Sequence, residues 1–152
     1  MIARSILVAF DGSPEAAHAL NQAAELARLA GAHLSIVGVV PLVSSGFGVA
    51  MPAGDAVART LSESRSALEA QRARVQAGGL AAVDTHLLEG EPVSAIVGFV
   101  ESRGIDLVVV GTRGLDAVGR FFLGSVSDGI LHYAGCSVLV VKTPKPPKPG
   151  SP

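Results

Sequence analysis

The sequence of 152 residues is short of lysine, cysteine and aromatic side chains, and each shortage removes a class of function. All three lysines, Lys142, Lys145 and Lys148, stand at the C-terminal end. A P-loop needs a lysine inside its phosphate-binding loop, so that signature is excluded. The lone Cys136 excludes an internal disulfide; set in an apolar strand, it reads as a buried, inert thiol. Tryptophan is absent and aromatics make up 4% of the chain, which leaves the core to Ala, Val, Leu and Ile. The formal net charge of -1 argues against nucleic acid as a main partner. No apolar run approaches about 18 residues, and no N-terminal stretch resembles a signal peptide, so the chain is expected to be cytoplasmic, with no membrane contact. Its length suits one domain with a real core, expected over residues 1–142, followed by a flexible Pro/Lys-rich tail, 143–152.

What is present centres on Asp106 to Ser127. Leu107 to Val110 is an unbroken apolar run, which predicts a strand buried on both faces, as in parallel sheets. Gly111 and Gly114 open a loop. Gly124-Ser125 follows, and then an apolar helical pattern through Val126, Ile130, Leu131 and Ala134. Ser125 with Asp128 spells a capping box, predicting a helix start there. Strand, glycine loop and helix N-terminus together suit a phosphate. Glycines let backbone N–H groups approach an anion, and the first turn of a helix offers free donors and the positive end of its dipole.

The remaining elements follow in order. Ser5 to Phe10 is a buried strand by its apolar run. Ser13, Pro14 and Glu15 start a helix as N-cap, first residue and dipole-matched acid, and Gly31 ends it. Ala16, Leu20, Ala23, Ala27 and Ala30 form its packing face, with His18 and Asn21 toward solvent. Leu34 to Val40 is the second strand. The Gly/Ser/Pro-punctuated segment from Pro41 to Asp55 is either a variable loop or a lid or partner surface. Ala56 to Gln76 is the longest helix, with a solvated Arg/Glu face. Ala82 to Leu88 reads as an edge strand with His86 exposed. Val93 to Ser102 is a helix buried through Val93, Ile96, Val97 and Val100, and Ser137 to Val141 is the last strand. Alternating strands and helices imply an α/β fold: an open parallel sheet with helices on both faces and right-handed crossovers.

The spacing Gly111-x2-Gly114-x9-Gly124-Ser125 resembles, at every fixed position, the nucleotide signature of the universal stress protein family, in its ATP-binding branch. Val8 to Ser13 and Cys136 to Val141 extend the resemblance over nearly the whole chain. It implies a Rossmann-like sheet of five parallel strands, adenine nucleotide alpha hydrolase-like, in the order 3-2-1-4-5. The winding then reverses between strands 1 and 4, and ligands of open α/β sheets bind at that switch point. It also implies a dimer formed through the last strand. A two-component phosphate-receiver domain, whose sheet is similar, is excluded by the lack of a lysine after a late strand.

Roles follow for a bound adenine nucleotide, ATP with Mg. Amides around Gly114, Gly124, Ser125 and Val126, with the Ser125 and Ser127 hydroxyls, are expected at the phosphates. Arg113, and Arg120 unless it is merely a solvated loop residue, supply positive charge. Asp11, acceptor-only, suits an adenine amino group, a ribose hydroxyl or a magnesium water, and no residue is expected to ligate a metal directly. By the resemblance, Val39 lies at the adenine edge with Val110 and Gly111 beneath it. No nucleophile–base pair is evident, and no catalytic residue is assigned. His132 reads as a surface or interface residue. The leading reading is an ATP-holding dimer in stress signalling. The alternatives are a slow ATPase or adenylyl/phosphoryl transferase using the same pocket, and a nucleotide-free interaction protein. An edge strand of Ser137, Val138, Leu139, Val140 and Val141, without charge or proline, predicts that a second copy covers it.

Overall fold

The computed structural model describes residues 2–42, 53–115, 121–144 and 149–150. Strands β1 (Ser5–Ala9), β2 (His33–Val40), β3 (Val83–Glu89), β4 (Leu107–Gly111) and β7 (Ser137–Val141) form one sheet in the order β3-β2-β1-β4-β7. All its pairings are parallel, with Ile6 opposite both Leu34 and Leu107. This is the expected order 3-2-1-4-5, and β3 lies at an edge as its pattern predicted.

Four helices cover the sheet: α1 (Pro14–Ala30), α2 (Ala53–Ala77), α3 (Pro92–Arg103) and α4 (Ser125–Tyr133). Ile6, Val8, Leu34, Ile36 and Val109 pack on one face against the alanines of α1 and Leu68 and Val75 of α2. Leu7, Val37, Val108 and Val110 pack on the other against Ile96, Phe99 and Val100 of α3 and Ile130 of α4. Burial of both faces explains why the central strands read as continuous apolar runs rather than alternating ones. Alanine predominates on α1 because its axis must come close to the sheet.

Several expectations are corrected in detail. The longest helix begins at Ala53, three residues before the predicted Ala56. Phe99, not Val97, completes the buried face of α3; Val97 and Val93 are only half-buried. His18 is half-buried rather than solvent-facing, whereas Asn21 is exposed as expected and also accepts a 2.9 Å hydrogen bond from Arg74 Nη1, tying α1 to α2. His86 is tilted against the Phe99 ring at 4.8 Å rather than exposed. Cys136 precedes β7 instead of lying within it and is half-buried; burial pushes its thiol up from the ordinary value. The segment after β4 contains a short antiparallel ribbon, β5 (Arg113–Leu115) paired with β6 (Phe121–Phe122). Most of the segment from Pro41 to Asp55, and the centre of the tail, lie outside the described residues.

Candidate functional site

The winding reverses between β1 and β4, and the loops leaving their carboxyl ends enclose a crevice. After β1, the Phe10 N–H still donates to Val37 O at 2.9 Å, and then the chain turns. Asp11 Oδ1 accepts the Ser13 N–H at 2.9 Å, closing the turn around Gly12 at φ 83. Ser13 Oγ accepts the Ala16 N–H at 3.1 Å, so Ser13 is the N-cap of α1, as its sequence implied. One oxygen of Asp11 is thus committed to shaping the loop.

After β4, Gly111 passes so close to α1 that an added Cβ would lie 2.7 Å from Glu15 O. The Thr112 N–H donates to Val141 O at 3.1 Å and extends the β4–β7 ladder. The Thr112 hydroxyl is buried and has no hydrogen-bond partner among the described residues. Helix α4 follows, and here the capping box fails. The N-cap is Gly124, one residue earlier than the box required, and no side chain caps the helix. Ser125 is exposed in the first turn, and the Asp128 N–H makes an ordinary helical bond to Gly124 O at 2.9 Å. Among the described residues the amides of Ser125, Val126 and Ser127 therefore have neither an intrahelical acceptor nor a side-chain substitute. Ser127 Oγ donates to Gly111 O at 2.9 Å. Its only proton is spent there, so the hydroxyl has lone pairs to offer but no donor for a phosphate.

The crevice has two parts. One, about 100 Å³, is lined by Asp11, Val110, Gly111, Thr112, Gly124 and Ser127 among others. The other, about 130 Å³, runs from Phe10, Asp11 and Gly12 along Gly38, Val39 and Val40 to Leu68 of α2. Asp11 lines both and marks their junction. The structure thus brings together Asp11, Val110, Gly111, Gly124, Val126 and Ser127, with Val39 on the far side of Asp11. Val110 and Gly111 fall in the part with Gly124, not beneath Val39 as expected. Arg113 and Gly114 are described as backbone of β5 only, and Arg120 lies outside the described residues. Thr112 was missed from the sequence. A polar residue directly after a buried strand was the available signal. The α2 contribution, through Ser64, Ala67 and Leu68, had none. His132 is exposed, its Nδ1 2.9 Å from Asp128 O, away from the crevice. Among the described residues no group of three or more His, Cys, Asp or Glu side chains is placed to hold a metal, and no helix is long and apolar enough to cross a membrane.

A parallel sheet open at a switch point, with glycine-rich loops and an uncapped helix N-terminus converging there, defines the class of doubly wound α/β proteins with a crevice at the strand ends. Within that class the chain belongs to the universal stress protein family, whose family model matches residues 3–142. A putative universal stress protein of Staphylococcus haemolyticus is 37% identical over 147 residues, covering 95% of this chain and 88% of that protein. A solved universal stress protein in complex with cAMP superposes with a TM-score of 0.71 at 26% identity, covering 93% of this chain and 98% of its own. The universal stress protein of Archaeoglobus fulgidus, solved in complex with dAMP, gives 0.66 at 26% identity, covering 92% and 98%.

Proposed function

We propose that the chain is an adenine-nucleotide-binding universal stress protein that holds ATP, with Mg, in the switch-point crevice and acts as a homodimer. The observation that carries this reading is the uncapped N-terminus of α4 facing a crevice that also contains the buried, unpartnered Thr112 hydroxyl. Both features present donors with nothing to receive them, which is what a phosphate group requires. The amides of Ser125, Val126 and Ser127 and the Thr112 hydroxyl take the phosphates. The free oxygen of Asp11, at the junction of the two cavities, takes the ribose or a magnesium water. The strip of Gly38 to Val40 takes the base. The adenine nucleotides in the two solved relatives support the ligand class.

Asp11 and Glu15 both line the proposed phosphate cavity, and the Ser13 amide already engages Asp11. Hydrolysis is therefore expected to run far below the roughly 1–10³ s⁻¹ of ordinary enzymes. Titration calorimetry of ATP with magnesium tests the site. Wild type binds, while Gly124→Val and Thr112→Val each weaken binding at least about tenfold with the fold retained. Unchanged affinity in both variants refutes the assignment. Brisk multiple turnover abolished by Asp11→Asn would establish the enzyme reading instead.

A further inference from the structure

A cavity of about 550 Å³ lies along the edge of β3 and shares Leu68 and Leu87 with the base-side part of the crevice. Its floor is Thr85, His86 and Leu87, with α2 on one side and α3 on the other. The Leu34 N–H donates to Ala82 O at 2.9 Å, and the Gly90 N–H donates to Val40 O at 3.0 Å. Within a strand, backbone groups alternate sides, so residues 82, 84, 86, 88 and 90 face β2. The N–H and C=O groups of Thr85 and Leu87 face outward, and among the described residues nothing pairs with them. They form a strand template that opens into the cavity.

The walls are charged in a particular way. Arg65 of α2 is exposed and has no described ion pair. Arg103 of α3 lies over the Phe99 ring at 5.3 Å, which orients the guanidinium without neutralising it. Two acids of this edge are already engaged, each through one or both carboxylate oxygens. Glu69 accepts from Thr85 Oγ1 at 2.6 Å and pairs with Arg72 at 3.4 Å. Asp84 Oδ2 lies 3.1 Å from the Nε2 atoms of both His33 and His86. What remains is a strand edge with one uncommitted arginine on each face of the sheet.

We propose that this edge binds an extended peptide segment bearing two consecutive acidic residues, which adds to the sheet as a strand beside β3. Main-chain hydrogen bonds to Thr85 and Leu87 supply the affinity, as in other cases of strand addition. Successive side chains of an extended peptide point to opposite faces. One carboxylate of an acidic pair therefore meets Arg65 and the next meets Arg103, and a single acid cannot serve both. The site adjoins the base-side part of the crevice through Leu68 and Leu87, but its two arginines do not line that part.

Short blocked Val/Thr peptides with a central Glu-Glu pair test this against the full chain by calorimetry. The Glu-Glu peptide binds below about 1 mM, a Lys-Lys version at least about tenfold more weakly, and a version N-methylated along one ladder face does not bind. Arg65→Ala and Arg103→Ala each weaken the Glu-Glu peptide about fivefold, with circular dichroism unchanged. Any of three results overturns the proposal: no binding at about 1 mM, equal affinity for Glu-Glu and Lys-Lys peptides, or affinity indifferent to N-methylation. The last would mean anion capture without strand addition.

Discussion

A Cβ placed on Gly111 would lie 2.7 Å from Glu15 O and 2.9 Å from its carbonyl carbon, both rigid backbone atoms at the start of α1. The first turn of α1 would have to move outward, and Gly111→Ala is expected to destabilise the fold by about 1–3 kcal/mol in urea unfolding. An unchanged midpoint would show that α1 yields freely. Gly124 behaves differently: its φ of -61 and ψ of 157 suit any residue. The Gly124→Val change should therefore lower ATP affinity and leave stability nearly intact. One glycine of the motif thus serves helix–strand packing, and in the proposed site the other serves the anion. A second residue gives a pH test. Glu91 caps α3, accepting the Ser94 N–H at 2.8 Å and the Val93 N–H at 3.0 Å. The bonds to Ser94 and then Val93 hold its carboxyl below the ordinary value. The charged form is therefore favoured on folding, and its contribution is full above the usual carboxylate range and lost as acid protonates it. Thermal melts of wild type and Glu91→Gln should differ at neutral pH and converge in acid. A gap that widens in acid would reverse the sign and remove the capping role.

Helix α4 starts without a side-chain cap although Ser125 and Asp128 spell one, and the proposed phosphate site rests on that mismatch. The loop from β4 sets the entry of the chain into the helix, and it places Gly124, not Ser125, at the cap position. Supplying the missing cap should separate stability from binding. Gly124→Asp accepts the first-turn amides and complements the dipole, a gain of about 0.5–1 kcal/mol in urea unfolding. The same carboxylate occupies and repels the proposed phosphate position, so ATP binding should vanish. Tighter ATP binding by this variant would place the phosphates elsewhere. The start of this helix at Ser125 was legible, but its capping residue was not, because a capping box carries no information about the loop that delivers it. The β5–β6 ribbon was hidden for a related reason: its few residues show no strand period between the glycines. By contrast, α1 was legible at both ends, because Ser13-Pro14 and Gly31 impose local geometry that tertiary contacts reinforce. The sheet was legible because strands buried on both faces announce themselves as apolar runs. In the crevice, Asp11 and Gly124 were visible through their motifs. Thr112 was hidden as an unremarked residue between Gly111 and Arg113, and the α2 wall depends on packing across the sheet.

At the scale of the whole molecule the two sheet edges differ in what covers them. Arg65, Glu69, His86 and Arg103 line the β3 edge with charge or imidazole, whereas β7 carries Val138, Leu139 and Val140, all half-buried. The Thr112 N–H donates to Val141 O at 3.1 Å, so residues 137, 139 and 141 face β4, and Val138 and Val140 turn their amides outward. In the proposed homodimer these outward amides pair with the same strand of a second copy. A two-fold axis makes the strands antiparallel and the contact isologous. Charged substitutions are poor probes here, because Leu139 also packs into the α1 face of the core and Val140 into the α4 face. Val140→Pro is cleaner. It deletes an outward donor, spares every bond from β7 to β4, and proline is tolerated on an edge strand whose N–H faces away from the sheet. Sedimentation is expected to give a dimer for wild type at micromolar concentration and a folded monomer for Val140→Pro. ATP binding by that monomer should persist, since none of Asp11, Thr112 and Gly124 comes from β7. A monomeric wild type, or a Val140→Pro dimer of undiminished stability, would show that the exposed β7 edge is not the contact.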